Sequence, residues 1–146
     1  MPFYFEIMMM QSSFTKDFHE TLRVYKHSQL ENKCRELFRD DRIRFIGVIN
    51  NMGKLIAGGF NKGIIPIETE EQRRMLYMQM ALEIAMRKDF DETLGKINYI
   101  ATNRNNVLMM SIPMNKHVVL ISAEPTANPG EIIKKVCAIE FFQSEA

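Results

Sequence analysis

The chain has 146 residues, 46% of them hydrophobic and 25% charged, which are the proportions of a folded globular protein with a single core. Nineteen basic residues face eighteen acidic ones for a formal charge of +1, so no global field draws the molecule to nucleic acid or to anionic lipid. The two cysteines, Cys34 and Cys137, are too few for a disulfide framework and fit a reducing compartment, so a cytoplasmic protein is expected.

The run Met1 to Met10 is apolar but carries Glu6, is too short to span a membrane and lacks the basic start of a signal peptide. No membrane insertion is expected. Residues 1–12 read as a poorly ordered lead-in, and 13–146 as one domain. Apolar residues at helical spacing, Phe14, Phe18, Leu22, Tyr25, Leu30, Cys34 and Leu37, predict a long first helix from Phe14 to Arg39. Its phase slips near Ser28 and Gln29.

Ile43 to Ile49 is a β-rich run with both faces apolar, and Lys54 to Phe60 returns after the turn Asn50-Asn51-Met52-Gly53. These two strands form a hairpin. Gly58 and Gly59 mark a bulge or a strand end. A loop through Pro66 leads to Thr69 and Gln72, which match a capping box, so a second helix starts near Glu70. It runs to about Lys88, or with a break to Leu94, where Gly95 stops it.

Alternation from Lys96 to Asn103 predicts a third strand, Val107 to Met114 a fourth and His117 to Ala123 a fifth, joined by tight turns. Pro113 requires the end of the fourth strand to lie at an edge or to leave the ladder. Asn128-Pro129-Gly130-Glu131 starts the last helix, which runs to about Phe142 with Ile132, Ile133, Val136, Cys137, Ile139 and Phe141 on its core side. The expected fold is α+β in the order α-β-β-α-β-β-β-α, with a five-stranded antiparallel sheet made of a hairpin and a three-strand meander.

The strand Ile43-Arg44-Phe45-Ile46-Gly47-Val48-Ile49, the turn Asn51-Met52-Gly53-Lys54 and the helices capped by Thr69 and Asn128 give the chain its resemblance to a known family. Over Phe14 to Phe142 it resembles the roadblock/dynein light-chain family, within the longin and profilin-like group. Its Ile-Arg-Phe-Ile-Gly strand and the Leu94-Gly95-Lys96 lead into the third strand look most like an archaeal branch of that family. The resemblance implies homodimers or heterodimers that act as regulators or scaffolds for small GTPases and motors. The long first helix departs from shorter members. A PAS-like sensor is the nearest competing fold.

The second helix is the most informative surface. At 100° per residue, Gln72, Gln79, Glu83 and Arg87 form a narrow polar strip, and apolar residues take nearly all the remaining circumference. That is more than one sheet can shield. The cover is either the first helix of the same chain or the second helix of another copy, and Met75, Met78, Leu82, Ala85 and Met86 are the expected interface residues. A homodimer is expected, with a GTPase-type protein as a further partner. The alternative is a sensor holding an apolar ligand among Phe45, Tyr99 and methionines.

An enzyme with an unrecognised site is the third reading, and no motif supports it. His19, His27 and His117 lack metal-ligand spacing, and no Cys-x-x-Cys is present. Gly58-Gly59-Phe60-Asn61-Lys62-Gly63 fails the phosphate-loop pattern, with Ile64 where a hydroxyl residue belongs. No serine or cysteine has the spacing of a nucleophile with its base. Neither catalytic residues, nor a cofactor, nor a metal, nor a nucleic-acid partner is expected. Asp89, Asp91 and Glu92 read as a solvated acidic cluster, and Arg42, Arg44, Arg73, Arg74, Arg87 and Arg104 as a basic patch only if folding gathers them.

Overall fold

The computed structural model describes residues 28, 29 and 31–138. The lead-in at 1–12, most of the expected first helix, His19 and His27, and the expected end of the last helix lie outside them.

Strands β1 (Ile43–Asn50) and β2 (Leu55–Phe60) form the expected hairpin. Asn50 closes it. Its Oδ1 accepts the N–H of Met52 at 2.9 Å and that of Lys54 at 3.0 Å, while its carbonyl accepts the N–H of Gly53. Gly53 has φ +82, and a Cβ there would lie 2.7 Å from the Met78 α-carbon, so only glycine allows the turn to touch the second helix.

The bulge is not at the glycine pair. The register shifts between Val48 and Ile49, opposite Ala57 and Leu55, whereas Gly58 and Gly59 stay in the ladder opposite Gly47 and Ile46. Gly58 serves another need: at φ +106, a Cβ would come within 2.1 Å of the Ile46 carbonyl oxygen.

Strands β3 (Ile100–Asn103), β4 (Leu108–Met114) and β5 (His117–Ala123) form the meander, and the antiparallel sheet has the order β2-β1-β5-β4-β3. β3 begins four residues later than its alternation suggests. Its ladder with β4 starts at Ile100 opposite Ser111, and two steps further back Asn98 would face Pro113, which has no N–H to give. β4 itself continues to Met114 against β5, so Pro113 leaves only one of its two ladders.

Alternation sends each strand's apolar residues to two faces. On one face Ile46, Val48, Met110, Ile112, Val119 and Ile121 pack against the first helix, α1 (residues 31–37), and the last, α4 (Pro129–Ala138). Cys34 and Leu37 from α1 and Ile132 and Val136 from α4 complete that core. On the other face Phe45, Ile49, Val118 and Leu120 meet the second helix, α2 (Glu70–Arg87). A 3-10 turn (Lys88–Phe90) and the one-turn α3 (Asp91–Leu94) extend α2, and Gly95 at φ +86 ends the helical run.

Asp40 ties the first layer together. Its carboxylate takes Arg42 at 2.9 Å and also Lys135 of α4, while Arg42 reaches Glu131 at 2.8 Å. The hydrogen bond from Arg42 holds the Asp40 carboxyl well below the usual carboxylate range, against the opposing effect of burial. Asn128 caps α4 as expected, its Oδ1 accepting the Glu131 N–H. Cys137 is exposed and not on the core side, whereas Ile132 and Val136 are buried and the half-buried Ile133 packs against the same core as expected.

Candidate protein-interaction face

α2 starts where its sequence says. The Thr69 hydroxyl accepts the Gln72 N–H at 3.1 Å and the Gln72 side chain accepts the Thr69 N–H at 3.0 Å, which is the capping box. Glu70 and Glu71 in the first turn and Arg87 in the last suit the helix dipole.

The inner side of α2 is narrow. Tyr77, Ala81 and Ile84 are its buried residues, with Met80 packed beside them. Tyr77 stacks on Phe45 with ring centroids 6.0 Å apart, and Phe45 meets Phe60 at 4.9 Å. Burial pushes the Tyr77 phenol up to about 12. Arg73 lies over the Phe60 ring at 4.7 Å while donating to Glu68 at 3.0 Å. Tyr77 is the anchor that periodicity alone did not single out, because an aromatic in an already apolar helix adds no new signal.

On the opposite side the helix is apolar again. Met75 is 55% exposed, Met78 61%, Leu82 61% and Met86 62%, and Ala85 is exposed between them. Met75, Met78, Leu82 and Ala85 step by three, four and three residues, and Met86 follows four after Leu82, which is the spacing of a seam that packs against another helix. A surface helix with one apolar stripe needs no second one. All five expected interface residues therefore share the face directed away from the sheet.

The described part of the first helix does not cover them. α1 packs on the other face of the sheet, through Cys34 and Leu37, so covering by residues 31–37 is excluded by the layer order. Phe90 and Leu94, exposed at 60% and 78%, carry apolar surface past the end of α2. Sequence reasoning missed them, because they lie past α2, in the 3-10 turn and in α3, where the phase of α2 does not carry on.

Other expected groupings disperse. Phe45 and Tyr99 do not meet: Phe45 borders a space of about 40 Å³ beneath α2, room for a few waters, while Tyr99 lines a separate open groove of about 740 Å³ with Ile84, Ile112 and Ile133. The arginines do not form a patch. Arg42 pairs with Asp40 and Glu131, Arg44 with Glu124, Arg73 with Glu68, Arg74 with Glu70 and Arg87 with Glu83.

Asp89 and Glu92 are exposed as expected of a solvated cluster, and Asp91 is half-buried. Among the described residues no group of three or more His, Cys, Asp or Glu side chains is placed to hold a metal, and no helix is long and apolar enough to cross a membrane. Cys34 is a core residue; burial, with Glu31 nearby, pushes its thiol up to about 12, which leaves it un-ionised and inert.

Three solved structures share this architecture. They are the Roadblock/LC7 domain from Streptomyces avermitilis (7% identity, TM-score 0.61, 79% of this chain and 92% of that one), the gliding protein MglB from Thermus thermophilus (14%, 0.65, 82% and 92%), and MglB from Myxococcus xanthus (12%, 0.62, 82% and 92%). The likeness shows that the fold is that of Roadblock/LC7 domains. No curated protein matches the chain. The profile of a family of unknown function, DUF6659, matches residues 24–142, most of the sequence, and the chain belongs to that family.

Proposed function

We propose that this protein is a non-enzymatic regulatory adaptor that works as a homodimer, each protomer covering the Met75, Met78, Leu82, Ala85 and Met86 stripe of the other, and that the dimer engages a protein partner of the small-GTPase type. The observation that carries the reading is the second apolar stripe, which points away from the sheet and is more than half exposed at Met75, Met78, Leu82 and Met86. Continuous exposed apolar surface of this kind marks an interaction site. Methionine suits such a surface because its flexible thioether adapts to a partner. The Roadblock/LC7 fold supports the adaptor role, since the roadblock resemblance implies dimers that scaffold or regulate GTPases and motors. A chain with only two cysteines, Cys34 in the core and Cys137 at the surface, fits a cytoplasmic setting.

Sedimentation equilibrium at micromolar concentration tests the assembly, and a strict monomer would remove the homodimer. Titration of the dimer with small GTPases of the source cell, loaded with GDP or GTP, tests the partner; no binding across that set removes the GTPase half of the reading.

A further inference from the structure

We infer that Glu31 guards the open edge of β2, and that the surface it closes fits one partner, the β2 edge of a second copy of this chain. The sheet has two edge strands, β2 and β3. β3 is four residues long, and a short edge is a poor template for pairing. β2 is longer, Leu55-Ile56-Ala57-Gly58-Gly59-Phe60, and has neither a charged residue nor a proline, the usual means by which an edge resists strand addition. Its bulge disturbs only the Leu55 end.

The ladder shows which groups stand open. Asn61 donates its N–H to the Arg44 carbonyl at 2.8 Å, so Gly59 and Ala57, at two-residue steps, also turn their backbone groups towards β1. Gly58 and Phe60 turn theirs outward. Glu31, in the first turn of α1, reaches that side: its carboxylate accepts the Gly58 N–H at 3.1 Å in a partly buried setting. The Asn61 side chain donates to the Phe38 carbonyl at 3.1 Å, so β2 is fastened to the start of α1 and to the residue just past its end.

Without the carboxylate the edge is complementary to itself. About a two-fold axis perpendicular to the sheet, Gly58 faces Gly58 of the second copy, and the pair exchanges both N–H···O=C bonds with no side chain on either glycine in the way. With the carboxylate in place, an incoming strand must break a charge-assisted hydrogen bond and bury the charge it leaves. Glu31 thereby keeps self-association away from this edge.

The test uses the full chain carrying Leu82→Asp, so that the α2 stripe does not contribute to association. In that background Glu31→Ala should make the Gly58 amide of the dilute protein exchange roughly ten- to hundredfold faster, the weight of one hydrogen bond to a charged group. At high concentration its sedimenting mass should double relative to Leu82→Asp alone, and exchange at Gly58 and Phe60 should slow together as the edges pair. Glu31→Gln keeps a carbonyl acceptor and should not change the mass. Leu37→Ala loosens α1 while keeping Glu31, and it too should leave the mass unchanged. Glu31→Ala with no gain in mass overturns the inference, as does a Leu37→Ala variant that associates equally, since a loosened helix would then explain the association.

Discussion

The two faces of the sheet differ in how much buried apolar strand surface they carry, the larger share lying under α1 and α4, and they are closed in different ways. The face under α1 and α4 is sealed by two helices whose inward residues, Cys34, Leu37, Ile132 and Val136, are all nearly inaccessible, and by the Asp40 ion network that pins α4 to the start of β1. The face under α2 is sealed by one helix that buries Tyr77, Ala81 and Ile84 and presents an equally apolar back. The first face ends the protein; the second continues it outward. A layer that is complete contributes to the stability of the protomer at any concentration, whereas an apolar outer stripe contributes only when something binds it.

That contrast can be broken most forcefully from the sealed side. Ile132 is fully buried among Ile46, Met110 and Val136. Ile132→Ala should cost about 2–5 kcal/mol, the transfer loss plus the cavity it leaves. Urea denaturation should show the same loss at all protein concentrations. A loss that vanishes at high concentration would mean that this face, too, depends on assembly.

The ion network sharpens the comparison at smaller cost. Asp40 is depressed in the folded chain by Arg42, with help from Lys135, so it binds its proton more weakly than in the unfolded chain. The stability this gives is present above the unfolded carboxyl value near 4 and is lost as pH falls through the lower, folded one. Asp40→Asn should therefore remove about 1–2 kcal/mol at neutral pH and flatten the decline below about pH 4. Thermal melts of both proteins from pH 7 to pH 2 check it; curves that stay parallel would show that the network does not hold the sealed face.

Much of this organisation was legible in the residues because it is local. Thr69 with Gln72, Asn128 before Pro129, Gly95 and the Asn50–Gly53 turn each carry their own hydrogen bonds or backbone preference, so the element order and most boundaries follow from short stretches. The failures are non-local. The start of β3 depends on Pro113 across the ladder, which alternation within Lys96 to Asn103 does not contain. Cys137 sits at helical spacing with core residues but is exposed, at the edge of an open groove it lines with Ile133 and Met114. The surplus apolar arc of α2 was readable from its composition. Which layer lies over it was not, since periodicity gives the width of a face and only the path of the chain decides that α1 crosses to the other side.

Leu82→Asp has the smallest effect on the protomer and separates the two faces most sharply. Leu82 is 61% exposed and turned away from the sheet, so a carboxylate there meets water in the lone chain, and the change in its stability should stay within about 0.5 kcal/mol. Against a second α2 the same carboxylate is buried without a partner, at a cost of several kcal/mol, which should abolish association at micromolar concentration. The discriminating experiment is a pair of melts, dilute and concentrated, with sedimentation at both. Parent and variant should agree when dilute and part when concentrated, the parent gaining stability from mass action that the variant lacks. If the variant instead unfolds more readily when dilute, Leu82 is shielded within its own chain, and the outer stripe belongs to the protomer's core.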